Sequence, residues 1–338
     1  MSHYNLALMG FGNVGKALAR LLLEKQNELR DNYGLTFTVT GIATGRHGLL
    51  INSDGINLER AIDEEDLTLM TASVFPENAF EFIHLCKAGV LFENTPVNYQ
   101  TGQPAVEYLR TALKNGMHII TANKGPVVHA YQELTALAES KDRKFYFESA
   151  VMDGAPIFSL FRETLPAANL ISFRGVLNST TNVILTRMEA GDTFEQAVAY
   201  TQEVGLAETD PSGDIDGWDA AVKVAALVTV LMGVPLKPAD VERTGIRGIT
   251  SEEIAAAQKQ DNRWKLLCSA RRDGEHIEAH VAPEMVGHDS PFYAIEGSTS
   301  IVQFETDTLP KLSITEGDPG PETTAYGLLA DFVNAVKE

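Results

Sequence analysis

The segment "YNLALMGFGNVG", residues 4–15, sets the expectation for the fold. Its first half is an apolar run typical of a buried strand, and Gly10, Gly12 and Gly15 follow in G-x-G-x-x-G spacing before a helical pattern at residues 13–30. Glycines at these positions allow a tight turn, close approach of a pyrophosphate and close packing of helix on strand. The N–H groups at the helix start attract that anion. The segment predicts a dinucleotide-binding site, with a plain strand–helix turn as the alternative.

Strand and helix patterns continue to alternate up to about residue 148. Further strands are predicted at residues 37–44, 67–72, 89–94, 117–122 and 144–149, and helices at residues 104–115 and 130–140. Strands separated by helices form parallel sheets with right-handed crossovers. We therefore predict an α/β protein whose first 148 residues form a Rossmann dinucleotide-binding domain.

After residue 148 the pattern changes to that of an α+β domain. Helices are predicted at residues 156–164, 180–190, 193–204 and 217–232, and strands at residues 171–178, 264–272, 276–283, 300–306 and 311–315. The "DGE" between the second and third of these strands predicts a hairpin turn. We expect a mixed or antiparallel sheet in a domain of residues 149–310. A segment of residues 311–338, with a helix from about Thr324, is expected to return to the first domain.

The length and composition of the chain exclude several classes of function. A chain of 338 residues suggests two domains. The net charge of −19 argues against nucleic acid or an anionic membrane as a partner. The longest apolar run, residues 224–236, is shorter than a bilayer requires. Only two cysteines occur, Cys86 and Cys268, which argues against a disulfide framework or a zinc site and suits a reducing cytoplasm.

The stretch "AETDPSGDIDGWDAAVKVAAL", residues 207–227, combines a run of acids with one lysine in an apolar helix pattern. Asp219 and Lys223 are four residues apart and therefore share one face of a helix. Such a pair can hold a substrate and deliver a proton to its carbonyl oxygen. The alternative is a helix whose acids cap its N-terminus and whose lysine forms an ordinary ion pair.

Three positions near predicted strand ends are candidates for cofactor contacts. Arg46 and His47 stand where an acid usually binds the adenosine ribose, so Arg46 favours NADP through its 2′-phosphate. A solvated surface arginine is the alternative, and NAD stays possible. Lys124 and Thr95 follow strands at the edge where ligands bind in open α/β sheets, although a lysine in a turn before Pro126 is also common.

The chain resembles homoserine dehydrogenase over nearly its whole length. The resemblance rests on "GFGNVG", "TANKGP", "ESAVMDGAPI", "GVLNSTTNVILTRM", "GLAETDPSGDIDGWDAAVKVAAL" and "EGDPGPETTA". It implies reduction of aspartate 4-semialdehyde to homoserine with NAD(P)H, and the reverse. It also implies a homodimer whose second domain serves catalysis and dimerisation. The chain length matches the short form without an ACT domain.

The resemblance also implies roles for single residues. Lys223 is the expected general acid/base, with Asp219 and Lys124 as further catalytic residues. Substrate binding is expected from these two and from Glu208, Asp214, Gly205 and Thr180. Cofactor binding is expected from Gly10, Phe11, Gly12, Asn13, Val14, Gly15, Arg46, Thr95, Lys124 and Gly320.

The segment "ESAVMDGAPI" resembles the part of the family that binds Na⁺ or another alkali cation through backbone carbonyls. The matching positions are Glu148, Val151, Asp153 and Ala155. Oxygen ligands suit a hard cation. The chain departs from the family at Met152 and Ser179, where glycine is usual. An ordinary interdomain loop is the alternative.

Two rival functions remain open from the sequence. A phosphorylating semialdehyde dehydrogenase needs an activated cysteine, and neither cysteine of this chain lies in an activating sequence. A non-catalytic dinucleotide sensor gives no reason to keep Lys124, Glu208, Asp219 and Lys223 together. The sequence therefore favours an enzyme acting on a small-molecule substrate.

Overall fold

The computed structural model describes residues 1–337, which form two compact units. Unit 1 comprises Met1–Pro156 together with the segment that begins at Gly320, and unit 2 comprises Ile157–Pro319. The boundaries at residues 148 and 310 stay predictions. Among residues 1–337, no helix is long and apolar enough to cross a bilayer.

Unit 1 contains a six-stranded sheet. Its strands are β1 (Ser2–Met9), β2 (Leu35–Ala43), β3 (Leu49–Ile51), β4 (Val90–Glu93), β5 (His118–Thr121) and β6 (Phe145–Tyr146). The connecting helices are α1 (Asn13–Tyr33), α2 (Leu58–Asp63), α3 (Ala79–Leu85), α4 (Ala105–Lys114) and α5 (Lys124–Ser140). The sheet order is β3-β2-β1-β4-β5-β6, and all neighbours are parallel except β2 and β3.

This order confirms the predicted Rossmann fold. From β1 the chain builds outward to β2 on one side and then returns to place β4 on the other. The strand order reverses between β1 and β4, and ligands of such sheets bind beyond the carboxyl ends of the strands at that point. The residues that follow β1 and β4 are therefore the place to look for a cofactor.

The predicted strand at residues 67–72 is wrong. Leu67–Leu69 forms a single 3-10 turn instead. The carboxylate of Asp66 accepts hydrogen bonds from the backbone N (2.9 Å) and the hydroxyl (2.7 Å) of Thr68. Such a local side-chain cap competes with strand pairing for the same backbone groups. The edge strand of this region is β3, which precedes the turn and pairs with β2.

Unit 2 has a mixed six-stranded sheet, as expected. Its strands are β7 (Leu170–Val176), β8 (Glu242–Arg243), β9 (Asn262–Asp273), β10 (His276–Gly287), β11 (Ser300–Thr306) and β12 (Leu312–Glu316). Its helices are α6 (Ser179–Glu189), α7 (Phe194–Glu203), α8 (Ser212–Ile215), α9 (Trp218–Leu231) and α10 (Ser251–Gln258). The order is β12-β11-β7-β9-β10-β8, and the predicted β9–β10 hairpin is confirmed. Of the helix expected at residues 156–164, residues 158–164 are helical, and Leu160–Thr164 within them forms a π-helical turn.

The last helix, α11 (Pro321–Val336), belongs to unit 1, as predicted. It begins three residues before Thr324 and packs against α1. The ring of Phe332 meets Tyr4 and Phe92 edge-on, each at 6.0 Å between ring centroids. These aromatic contacts place α11 in the core of unit 1.

Candidate active site

The phosphate loop, residues 10–15, has the geometry that its glycines predict. Gly10 has a φ of 91°, and a methyl group there would overlap the carbonyl of Asn94. Gly15 packs directly against the carbonyl of Gly10. Gly12 has open space on the side where a Cβ would stand. Two of the glycines therefore close the loop, and the third leaves room for a ligand to approach the backbone.

The start of α1 presents backbone donors beside this space. The residue that precedes the helix is Gly12, which has no side chain to cap it, and the first turn carries no acid. The first N–H groups of a helix lack intrahelical partners and lie at the positive end of its dipole. Asn13 is exposed, Val14 is half-buried, and Phe11 is buried in the core below. This arrangement can hold the pyrophosphate of a dinucleotide.

Arg46 lies in the turn between β2 and β3. Both the backbone N and the hydroxyl of Thr44 donate to the carbonyl of Gly48, at 3.1 and 3.2 Å. The backbone N of His47 donates to the Thr44 hydroxyl at 2.6 Å. These bonds fix the turn and leave Arg46 exposed just after the end of β2. In this fold that strand end faces the adenosine ribose.

Thr95 and Lys124 lie just after β4 and at the start of α5. Thr95 is held by the buried carboxylate of Glu93, which accepts from its backbone N at 2.8 Å and from its hydroxyl. Lys124 is half-buried, and the side chain of Asn123 caps its helix by accepting from the N of Gly125 at 2.9 Å. Both candidate residues therefore occupy positions fixed by hydrogen bonds at the carboxyl edge of the sheet.

In unit 2, four polar side chains form one cluster, which we call the acidic cluster: Asn178, Asp214, Asp219 and Lys223. The amide nitrogen of Asn178 donates to Asp214 (2.7 Å) and to Asp219 (3.0 Å). The Nζ of Lys223 lies 3.1 Å from the Asp219 carboxylate. It also donates to the carbonyl of Leu177 at 2.6 Å. A proton donor is thus held between a carboxylate and a carbonyl.

The charges of the acidic cluster are largely removed from water. The side chain of Lys223 is 14% exposed and that of Asp219 is 10% exposed. Burial, and next the negative charge of Asp219, raise the pKa of Asp214, while bonds from Asn178 and the charge of Lys223 act against them. With both carboxylates ionised, the cluster carries one more negative than positive charge. A buried excess charge is costly unless a partner arrives, and a substrate ammonium is such a partner.

Of the other expected substrate residues of unit 2, Thr180 contacts the acidic cluster directly. Thr180 is buried, bonds to the carbonyl of Leu206 at 3.4 Å, and lowers the pKa of Asp214 through a hydrogen bond. Gly205 and Glu208 are exposed in the segment that follows α7. Leu206 lies between them, so its contact ties Thr180 to that segment.

The i,i+4 ion pair of the capping alternative is present in α9, but its side-chain cap is not. Its N-cap residue is Gly217, which offers no side-chain acceptor. The carboxylate of Asp216 instead pairs with Arg247 at 2.9 Å. Asp219 lies in the first turn of the helix, accepts a hydrogen bond from Asn178 and pairs with Lys223. Asp219 is therefore part of the acidic cluster and also lies at the positive end of the helix dipole.

The segment expected to bind a cation lies in unit 1. Glu148 is buried, and its backbone N donates to Asp331 at 2.7 Å. Asp153 has a φ of 34° and accepts from the hydroxyl of Thr323 at 3.1 Å. The same hydroxyl accepts from the N of Gly320 at 2.8 Å, so the segment and the start of α11 hold each other.

The side chains of this segment do not form a metal site. Val151, Met152 and Ala155 are buried. No group of three or more His, Cys, Asp or Glu side chains suited to a metal occurs among residues 1–337. A cation held mainly by backbone carbonyls, as the resemblance implies, stays a prediction.

The two cysteines are not activated nucleophiles. Burial raises the pKa of Cys86 to about 11 and that of Cys268 to about 12. A catalytic cysteine needs a lowered pKa, because the thiolate is the reactive form. A mechanism through a covalent thioester at either residue is therefore unsupported.

Sequence reasoning missed two residues of these sites, Asn178 and Glu93. The "NSTT" before α6 is a recognisable N-cap signal, and Asn178 does accept from the N of Thr181 at 2.9 Å. Its contacts with Asp214 and Asp219 span 36 and 41 residues along the chain. No local pattern reports such contacts. Glu93 ends a strand, where an acid gives no signal of burial.

Comparison with known proteins gives a consistent picture. Residues 156–333 match the family described as homoserine dehydrogenase, and residues 10–148 match the homoserine dehydrogenase NAD-binding domain. An NAD(+)-dependent homoserine dehydrogenase of Pseudomonas canavaninivorans is 33% identical, over 99% of this chain and 96% of that protein. The homoserine dehydrogenase of Methanocaldococcus jannaschii is 36% identical, over 98% of each. A hyperthermophilic archaeal homoserine dehydrogenase solved in complex with NADPH superposes with a TM-score of 0.84 at 29% identity, over 99% of this chain and 98% of that one.

Proposed function

The chain belongs to the homoserine dehydrogenase family of NAD(P)-dependent oxidoreductases, and we propose that Lys223 is its proton donor. The reaction interconverts L-homoserine and L-aspartate 4-semialdehyde. The observation that carries the proposal is the acidic cluster, in which Lys223 is fixed by Asp219 and the Leu177 carbonyl. An ammonium held in this way can serve one reacting oxygen.

Reduction of the aldehyde requires a hydride, a proton and a residue that holds the proton donor in place. When bound, the reduced nicotinamide supplies hydride to the aldehyde carbon. Lys223 gives a proton to the oxygen of that carbon, and in the reverse direction it accepts the proton of the homoserine hydroxyl. Asp219 holds the ammonium of Lys223 in place through both changes of state.

The proposed substrate-binding acids are Asp214 and Glu208. The ammonium of the substrate pairs with Asp214 and Glu208, because the cluster has an excess negative charge and Glu208 is exposed to an arriving ligand. Thr180 and Gly205 line the same part of unit 2 and complete the substrate contacts. Their support is the bond from Thr180 to Leu206, which lies next to Gly205.

Cofactor binding falls to unit 1, with the predicted domain of residues 1–148 as its main part. The phosphate loop holds the pyrophosphate, and Lys124, Thr95 and Gly320 border the nicotinamide end. Arg46 favours NADP, because an exposed guanidinium at the end of β2 can pair with a 2′-phosphate. The two relatives differ, since one is named NAD(+)-dependent and the other is in complex with NADPH.

We also propose an alkali cation at the carbonyls of Glu148, Val151, Asp153 and Ala155. The buried, irregular backbone of this segment and the left-handed Asp153 support it, because carbonyl oxygens suit a hard cation. Turnover in Na⁺ and in K⁺ should exceed turnover in N-methylglucamine at equal ionic strength. Equal rates in all three would remove the cation from the proposal.

The assembly and location follow the family. We propose a cytoplasmic homodimer in which the sheet of unit 2 forms the interface. Buried, reduced cysteines support a reducing compartment. Sedimentation at micromolar concentration tests the dimer, and cell fractionation tests the location.

One assay separates this function from its rivals. Purified protein should oxidise NADPH when L-aspartate 4-semialdehyde is added without phosphate, and should reduce NADP with homoserine. A phosphate-dependent reduction of NADP by the semialdehyde would identify the phosphorylating type. Cofactor binding without any turnover would identify a sensor.

A further inference from the structure

Glu93 is a buried carboxylate at the point where the strand order of unit 1 reverses. It is the last residue of β4 and is fully buried. It pairs with Met9, the last residue of β1, and with Thr121, the last residue of β5. The side chain therefore lies at the edge of the sheet where a dinucleotide is expected to bind.

The carboxylate joins the ends of two strands. One oxygen accepts from the backbone N of Thr95 at 2.8 Å and from the Thr95 hydroxyl. The other accepts from the hydroxyl of Thr121 at 2.7 Å. Asn123 extends the network, because its N donates to the Thr121 hydroxyl (2.9 Å) and its side-chain amide donates to the Thr95 carbonyl (3.2 Å).

The network reaches the start of α5. The side-chain oxygen of Asn123 accepts from the N of Gly125 at 2.9 Å and so caps that helix. Lys124 lies between these two residues. The position of Lys124 therefore depends, through Asn123 and Thr121, on the carboxylate of Glu93.

Burial of the Glu93 carboxylate costs free energy, because the charged group loses its contact with water. Burial raises the pKa of Glu93, while hydrogen bonds from Thr95 and Thr121 act in the opposite direction. An apolar residue would fill a buried strand end without needing these donors. A buried polar network that is fully bonded fixes one local geometry.

We propose that Glu93 is a positioning residue for hydride transfer: its carboxylate fixes Thr95 and the Lys124 end of α5 against the nicotinamide. The inference rests on the proposed placement of Thr95 and Lys124 at that end of the cofactor. A displacement of about 1 Å at a reacting centre can cost about 100-fold in rate. The role needs the hydrogen bonds of the side chain and not its charge.

This distinction makes the role testable by Glu93→Gln and Glu93→Ala. In Glu93→Gln, the amide oxygen can accept from Thr95 while the amide nitrogen donates to the Thr121 hydroxyl. That hydroxyl keeps an acceptor in the Glu93 carbonyl, 2.9 Å away. Glutamine should therefore retain the geometry, whereas alanine removes both junctions.

The experiment compares kcat with homoserine and the Kd of 2′-phospho-ADP-ribose, a probe without nicotinamide. Glu93→Ala should lower kcat by roughly 10- to 100-fold and leave the Kd of the probe unchanged, because the phosphate loop is built elsewhere. Glu93→Gln should recover kcat to within about threefold of wild type, on the same principle of retained geometry. The matched control is Thr40→Val, which removes another buried bond of unit 1, from Thr40 to the Cys86 carbonyl (3.0 Å), and should lower Tm but not kcat.

Each other result counts against the inference. A wild-type kcat in Glu93→Ala overturns it, and a Gln variant as slow as the Ala variant shows that charge and not position matters. If Glu93→Ala does not fold, Thr121→Val removes one junction and must lower kcat in its place. Lys124→Ala distinguishes failure of the proposed site from failure of the positioning role of Glu93. An unchanged kcat in that variant contradicts the proposed placement of Lys124, whatever the Glu93 variants show.

Discussion

The two proposed ligand sites, the phosphate loop and the acidic cluster, are built in opposite ways. The phosphate loop uses backbone N–H groups, and what matters there is the absence of side chains at Gly10, Gly12 and Gly15. The acidic cluster consists of largely buried charged side chains that are joined by hydrogen bonds from Asn178 and by an ion pair. One site is specified by shape, and the other is specified by charge.

The two sites should therefore lose function through different kinds of substitution. A backbone site fails when a side chain fills it or distorts its turn, and a change of distant charge does little. A buried charged site fails when one partner is removed, because the remaining charges lose their compensation. Substitutions in the two regions should therefore separate cofactor binding from substrate chemistry.

The largest expected effect is that of Lys223→Ala. Loss of a general acid lowers kcat by roughly 10²–10⁴-fold. The Kd of NADPH should stay at the wild-type value, because no part of the phosphate loop changes. Stopped-flow hydride transfer and a fluorescence titration of NADPH measure both. Lys237→Ala, which removes an exposed lysine of unit 2, is the control and should leave kcat unchanged.

Glu208→Gln tests charge at the substrate with little change of shape. Loss of a charged hydrogen bond should weaken homoserine binding by roughly 1.5–3 kcal/mol. The effect should appear in KM for homoserine, with KM for the cofactor and Tm nearly unchanged. Glu203→Gln removes a nearby exposed charge and is the control. A lower Tm with normal homoserine KM would assign Glu208 a structural role instead.

Gly15→Ala and Gly12→Ala test shape at the phosphate loop. A methyl at position 15 overlaps the Gly10 carbonyl, and overpacking of this kind costs about 1–3 kcal/mol, so Tm and NADPH affinity should both fall. A methyl at position 12 meets open space, so Tm should hold while NADPH affinity falls. Calorimetry of both variants, with and without NADPH, measures this difference. Equal Tm losses would show that Gly12 is structural and not kept for the ligand.

Arg46→Asp has the smallest expected effect. It removes a partner of the 2′-phosphate and adds an acceptor for the ribose, so kcat/KM should move from NADP towards NAD. An exposed pair contributes about 1 kcal/mol, which is roughly fivefold in the ratio. Arg20→Asp, an equal change of charge on α1, should leave the ratio alone. The same ratio in both variants would make Arg46 an ordinary surface residue.

Features that depend on neighbouring residues in the chain were predictable from the sequence, whereas features that depend on distant residues were not. The phosphate loop is a contiguous strand–turn–helix pattern, and its fold was predictable from residues 4–30 alone. The predicted strand at residues 67–72 failed because one side chain, Asp66, redirected the backbone into a turn. Asn178 and Glu93 were missed because their partners come from other elements of the fold. Long-range polar contacts become visible only when those elements are packed.

Chemical rescue of Lys223→Ala tests most directly the claim that Lys223 supplies the proton while the phosphate loop holds the pyrophosphate. A small primary amine can occupy the space left by the side chain and return the lost ammonium. NADPH should bind the variant with wild-type affinity. Initial rates are measured with homoserine, because a primary amine would condense with the aldehyde substrate; turnover should be low and should rise with amine concentration, following the pKa of the amine across a series. A variant that turns over at the wild-type kcat without any amine would contradict the claim.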